Sequence, residues 1–218
     1  SQPGMQRVAM REGGAWDKHN HDEHDQHEHG EHEPKHDEAE HADEHEDGVD
    51  PHLWLSPKNA AQIVRVVSEH LIQVDKASAD IYRNNAQAML GRIEQLDSAI
   101  AKRLSPVKGE PYVVFHDAYH LFEQRYDLNA VGSVTVSPER APGARRIHQL
   151  RSKIEQLNAR CVFSEPQFQP KLVKTLIDGT DARSGVLDPL GSTLKADSDA
   201  YFKLMENLAN ELVSCLSR

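Results

Sequence analysis

Residues 18–48 read KHNHDEHDQHEHGEHEPKHDEAEHADEHEDG, a stretch without a single Leu, Ile, Val or Phe. No chain builds a core from such a segment, because each ordered residue costs about 1–2 kcal/mol of backbone entropy that only buried apolar surface can offset. Residues 1–50 as a whole are therefore predicted to be loop or disorder, with order beginning at DPHLWLSP, 50–57. The acidity of the chain belongs to the same region. Residues 17–50 hold fifteen Asp and Glu against Lys18 and Lys35, whereas all 218 residues together carry a net charge of only −10, so the remainder is weakly basic. No basic patch with aromatic partners appears there, which argues against a nucleic-acid surface. No run of eighteen apolar residues predicts a membrane-spanning helix, and the opening SQPGMQRVAMREGG lacks the layout of a secretion signal, as expected of a mature form or a fragment.

Nine histidines, His19, His21, His24, His27, His29, His32, His36, His41 and His45, are interleaved with the carboxylates of this tract. Imidazole with its ordinary pKa near 6.5 is mostly neutral at pH 7 and offers a nitrogen lone pair to a metal. Neighbouring carboxylates attract the cation. Binding there must order the chain, so the tract is predicted to be a weak, unselective collector of Zn²⁺, Cu²⁺ and Ni²⁺. HEPKH (32–36) and HADEH (41–45) match two metalloprotease patterns by composition alone. Those patterns need a stable helix, which Pro34 and the missing apolar face deny.

Beyond residue 50 the patterning becomes that of a globular protein. Ser56 and Pro57 form a helix start, and Ala60, Ile63, Val64, Val67, Leu71 and Val74 recur at helical spacing. A second, long helix follows over 78–104, with Ile81, Ala88, Ile93, Leu96, Ile100 and Leu104 in period and Pro106 as its stop. From 111 the apolar runs PYVVFH, LNAVGSV, CVFSEP and SGVLDPLG alternate with helical stretches near 118–125, 142–158 and 169–178, before a last helix at about 197–216. Such alternation predicts an α/β fold with a parallel sheet flanked by helices. Ligands of such sheets sit beyond the carboxyl ends of the strands, where His116, Glu165 and Asp188 fall.

His52, His116 and Asp188 form a candidate metal shell, two imidazoles and a carboxylate from separate segments. His120 lies four residues after His116, at a spacing that on a helix lets both share one metal; a surface histidine is the alternative. His70 and His148 sit among polar helix neighbours and are predicted to be solvated. Cys161 and Cys215 match no zinc motif, and the pattern is compatible with two buried thiols or with one disulfide.

DPHLWLSP, VFHDAYHLFE, VSPERAPG, SEPQFQPKLV and GVLDPLG, in this order, resemble the ZnuA-type zinc-binding periplasmic components of ABC transporters. The resemblance runs from about residue 19 to the end and includes the charged tract. It implies a two-lobed metal-binding protein with a long linking helix: 1–49 a disordered His/Asp/Glu-rich loop, 50–77 a remnant of the first lobe, 78–109 the linking helix and 110–218 the second α/β lobe. It also implies that the first lobe, with a further His ligand, is largely absent from this chain, so that helix 57–74 lacks part of its partner and the site is completed by water or a tract histidine. The zinc ligands it implies are His52 and His116, with Asp188 ligating or beside the metal; Glu165 and His120 are candidate outer neighbours from their own positions in the sequence. Imidazole at 116, where the manganese-binding relatives carry a carboxylate, favours zinc. A Cys161–Cys215 disulfide is implied as well. The function implied is capture of zinc in the periplasm and delivery to an inner-membrane ABC permease, without enzymatic chemistry. Two other readings compete: a zinc storage or buffering protein acting through the tract, and a metal-dependent hydrolase with Glu165 as its base.

Overall fold

The computed structural model describes residues 4–11, 16, 48–135, 143–168 and 171–217. The nine tract histidines, both metalloprotease-like matches and most of VSPERAPG lie outside these residues. Four strands, β1 (Pro111–Val114), β2 (Asn129–Ser133), β3 (Cys161–Ser164) and β4 (Arg183–Val186), form one parallel sheet in the order β2-β1-β3-β4. The two-residue period of the strands divides the core. Tyr112, Val114, Cys161 and Phe163 point to one face, while Val113 and Val162 point to the other. The first face is covered by α2 (Ala79–Leu104), α3 (His120–Tyr126) and α6 (Ala200–Leu216), the second by α4 (Ala144–Gln156) and α5 (Lys171–Ile177). The chain leaves β1 outward to β2 and returns to the other side for β3, so the order reverses between β1 and β3. In open α/β sheets this switch point leaves a crevice at the carboxyl ends of the two strands.

α1 spans Pro57–Val74 as the periodicity predicts, and the Ser56 hydroxyl accepts from the Asn59 amide at 3.3 Å. It packs on α2 through Ala60, Ala61 and Val64, while Ile63, Val67, Leu71 and Val74 remain exposed. α2 has 26 residues and is about 39 Å long at 1.5 Å per residue. Its predicted apolar stripe is buried only in its second half, at Ile93, Leu96, Ile100 and Leu104; Ile81 is exposed. The first half of α2 faces α1, which is itself a single layer.

Cys161 and Cys215 are joined, with Cα atoms 6.1 Å apart, tying β3 to the last turn of α6. Order does not begin at Asp50, contrary to the sequence reading. Residues 4–11 lie against the start of α1: the Gln6 amide donates to Asn59 Oδ1 at 2.7 Å, and Asn59 Nδ2 donates to the Gln6 carbonyl at 3.0 Å. Ala9 and Val49 form an antiparallel bridge flanked by Met10 N to Gly48 O and Asp50 N to Val8 O, both 2.9 Å. Polar side chains and backbone pairing, not an apolar core, hold this strap.

Candidate functional site

His116 follows β1 and Glu165 follows β3, so both stand at the switch point. Glu165 is buried, and its Oε1 lies 2.5 Å from His116 Nδ1 and 3.4 Å from the Tyr119 hydroxyl. A carboxylate only accepts, so Nδ1 carries the proton and Nε2 is left as the basic nitrogen. Beside Glu165, the fully buried Tyr119 phenol is pushed well above its ordinary pKa, by burial first and then by the charges of Glu165 and Asp188. It stays a donor.

His52 enters from the opposite side, one residue before the 3-10 turn Leu53–Leu55 that leads into α1. Its orientation is set locally. Buried Asp50 accepts from the His52 amide at 2.9 Å and from His52 Nδ1 at 2.7 Å, closing a turn of the Asx type around Pro51. The Trp54 ring stands edge-on to His52, with centroids 5.4 Å apart, and its indole donates to the Pro189 carbonyl at 2.9 Å. The same carboxylate-to-Nδ1 arrangement therefore occurs twice, and each leaves Nε2 bare. The two Nε2 atoms face each other at 3.3 Å.

Asp188 lies beyond β4, one residue before the Pro189 carbonyl that accepts from Trp54, but its oxygens are engaged elsewhere. Oδ1 accepts from Gln167 and from the amides of Leu190 and Gly191; Oδ2 accepts from the amide and hydroxyl of Ser192. Gly191, at φ +67°, supplies the left-handed residue that lets the turn wrap back on Asp188. Burial opposes ionisation of Asp188, but the bonds from Ser192, Gln167 and the backbone outweigh it and hold the carboxyl below its usual range. Among the described residues, no group of three or more His, Cys, Asp or Glu is placed to hold a metal ion. The structure thus unites His52 with His116 and leaves Asp188 as a turn organiser.

His120 opens α3, whereas His116 precedes that helix, so the helical i,i+4 argument does not apply. His120 contacts Gln124 at 3.0 Å and is half-buried; burial, then the charge of Arg11, lowers its pKa. His70 and His148 are exposed, as expected.

Sequence reasoning missed three residues. Asp50 was signalled only by its place two residues before His52. Arg11 had no signal, because its partners are more than a hundred residues away. Its guanidinium forks onto Asp117, with Nε to Oδ2 at 3.0 Å, and pairs with Glu123 at 2.7 Å. Asp117, the neighbour of His116, thereby joins the strap to the loop after β1. Glu123 is buried and its pKa is pushed up to about 7 by that burial, against the pull of Arg11.

The fold and site are those of an α/β protein with two carboxylate-oriented imidazoles at the switch point of a parallel sheet, the orientation that carboxylates give to metal-binding histidines. The family is shown by sequence. The family described as "Zinc-uptake complex component A periplasmic" matches residues 2–215, and the chain belongs to it. It is similar to the high-affinity zinc uptake system protein ZnuA of Brucella suis biovar 1, with 49% identity over 224 residues, covering 99% of this chain and 67% of that protein. Among solved structures, a crystal structure of ZnuA superposes with a TM-score of 0.67 at 26% identity, over 77% of this chain and 60% of that one. A ZnuA deletion mutant with zinc bound gives a TM-score of 0.63 at 26% identity, over 78% and 62%. The chain thus spans about two thirds of the Brucella relative and less of the crystallised chains.

Proposed function

We propose that the chain captures zinc as cargo through His52 Nε2 and His116 Nε2 and, in the periplasm, passes it to an ABC permease. The observation that carries this reading is the distance between the two nitrogens. Two nitrogens bound to one zinc at about 2.05 Å and near the tetrahedral angle lie about 3.3 Å apart, and the pair stands at 3.3 Å. A proton or a metal ion shared between the two nitrogens accounts for so close an approach. Imidazole suits zinc better than the harder manganese or calcium ions. The names of the relatives support the same cargo. Two ligands leave a tetrahedral ion two positions short. Solvent, the segment of the relatives that this chain does not span, or a tract histidine supplies the rest. No helix among the described residues is long and apolar enough to cross a membrane.

The hydrolase reading requires Glu165 to act on a water, but its Oε1 is already committed to His116 and Tyr119. The storage reading places all binding in the tract. A competition titration of zinc against a chelator of known affinity separates the alternatives. His116→Ala is expected to abolish the tightest phase, and deletion of residues 18–48 to reduce the number of ions bound while leaving that phase in place. Loss of all binding with the tract, or an unaltered tight phase in His116→Ala, refutes the assignment.

A further inference from the structure

His52 and His116 belong to different bodies: one precedes α1, the other follows a strand of the sheet. Their separation is therefore set by how the 52–74 segment is seated, not by local geometry. It is seated from one side by the packing of Ala60, Ala61 and Val64 on α2, by the Trp54 indole on the Pro189 carbonyl and by Leu55 in the core. On the other side is Arg11. The strap pairs with Gly48–Asp50, so the Asp50 amide is bonded to Val8 while the Asp50 carboxylate orients His52. Three residues further along the strap, Arg11 grips Asp117, which is covalently next to His116. A closed ring of bonds results, from His52 through Asp50, Val8, Arg11 and Asp117 to His116, and it returns across the 3.3 Å gap.

We propose that Arg11 is a positioning residue for the metal pair, a brace that holds His52 and His116 at chelating distance. The inference rests on the zinc reading above. The chemistry of the contact is specific to arginine. A planar guanidinium engages Asp117 through its fork and Glu123 through its remaining nitrogen, and stacks at 3.6 Å on the Trp16 ring. Lysine keeps the charge but cannot fork or stack in this way. Without the brace, the strap and Asp50 lose their tie to the loop that carries His116, on the side of the site that Trp54 does not hold, and the two nitrogens separate.

The test uses the full chain with zinc and a competing chelator, at a temperature where circular dichroism shows every variant folded. The tight phase is defined as the one that His116→Ala removes. Arg11→Gln is expected to weaken that phase by at least about tenfold, in the range seen when groups that orient metal ligands are lost, and Arg11→Lys to restore part of it. The absorption bands of bound Co²⁺ are expected to lose intensity in Arg11→Gln as the tetrahedral pair loosens. A merely stabilising role lowers the melting temperature but moves neither the affinity of the folded protein nor the Co²⁺ spectrum. A folded Arg11→Gln with zinc affinity within about threefold of the parent overturns the proposal. If Arg11→Gln does not fold, Asp117→Asn takes its place, since it removes the charge under the fork and leaves the Glu123 contact; the same weakening is expected, and unchanged affinity again overturns the brace. If the parent itself has no phase that responds to His116→Ala, the zinc assignment fails first, and the brace with it.

Discussion

Replacing Glu165 by Gln isolates the electrostatic part of the site. Glu165 is buried with 3% of its surface exposed, so no solvent competes for the 2.5 Å contact with His116 Nδ1. The amide keeps an oxygen in place to accept the same hydrogen, and the ring orientation is preserved; the negative charge is not. A hydrogen bond to a charged group is worth about 1.5–3 kcal/mol, against about 1 kcal/mol for a neutral one. The difference is about 0.5–2 kcal/mol, which weakens zinc by about 2–30-fold, overlapping the about 10–100-fold known for other outer partners of metal-binding histidines. Asp50→Asn does the same to His52, through the 2.7 Å contact with its Nδ1. The two carboxylates act on imidazoles that face each other at 3.3 Å and share one ion on the proposed reading, so the double variant is expected to depart from the sum of the single effects. A chelator competition titration of both single variants and the double variant reads this directly. Glu165→Gln within about twofold of the parent would show that the carboxylate does not tune the imidazole.

Two further outcomes follow from the surroundings of the site. Glu123 holds its proton up to about pH 7 in the folded chain, against an ordinary value of 4.5. The stability tied to that proton is therefore present below pH 4.5 and is lost as the pH rises to about 7, a change of about 3 kcal/mol; urea midpoints of Glu123→Gln measured across that window should lose this slope. The disulfide closes a sequence separation of 54 residues, for which the chain-entropy model gives about 4 kcal/mol. The double substitution Cys161→Ser/Cys215→Ser should lower the melting temperature by about 10 °C while leaving zinc affinity unaltered, because Cys161 stands at the amino end of β3 and Glu165 lies past its carboxyl end.

What was legible in the sequence was local. Ser56, Pro57 and a clean period give α1 its bounds, and the alternation of short apolar runs with helical ones gives the parallel sheet. His116 and Glu165 could be found because strand ends are where such folds gather polar groups. His52 stood out beside a helix cap. The illegible part was relational. Whether Asp188 offers its oxygens depends on Gly191 letting a turn close on them, and nothing in DPLG states the outcome. The half-exposed α2 stripe depends on what lies against it, which periodicity does not report. Arg11 sits in a segment with too few apolar residues to predict order, yet a forked ion pair to Asp117, 106 positions away, fixes it. Charge pairs across such distances leave no trace in spacing.

The bridge between Ala9 and Val49 has a consequence for the histidine-rich insertion itself. It brings Ala9 and Val49, which flank the histidine-rich tract on either side, to within one strand spacing, about 5 Å. For a segment closed at its base, doubling or halving its length changes the closure cost by only about 0.6 kcal/mol. Histidines can be added or removed there without reseating His52 or the sheet. On the proposed reading, the number of ions gathered and the strength with which His52 and His116 hold one are thus separately adjustable, the first by the length of sequence between Ala9 and Val49 and the second only by altering the residues around the pair.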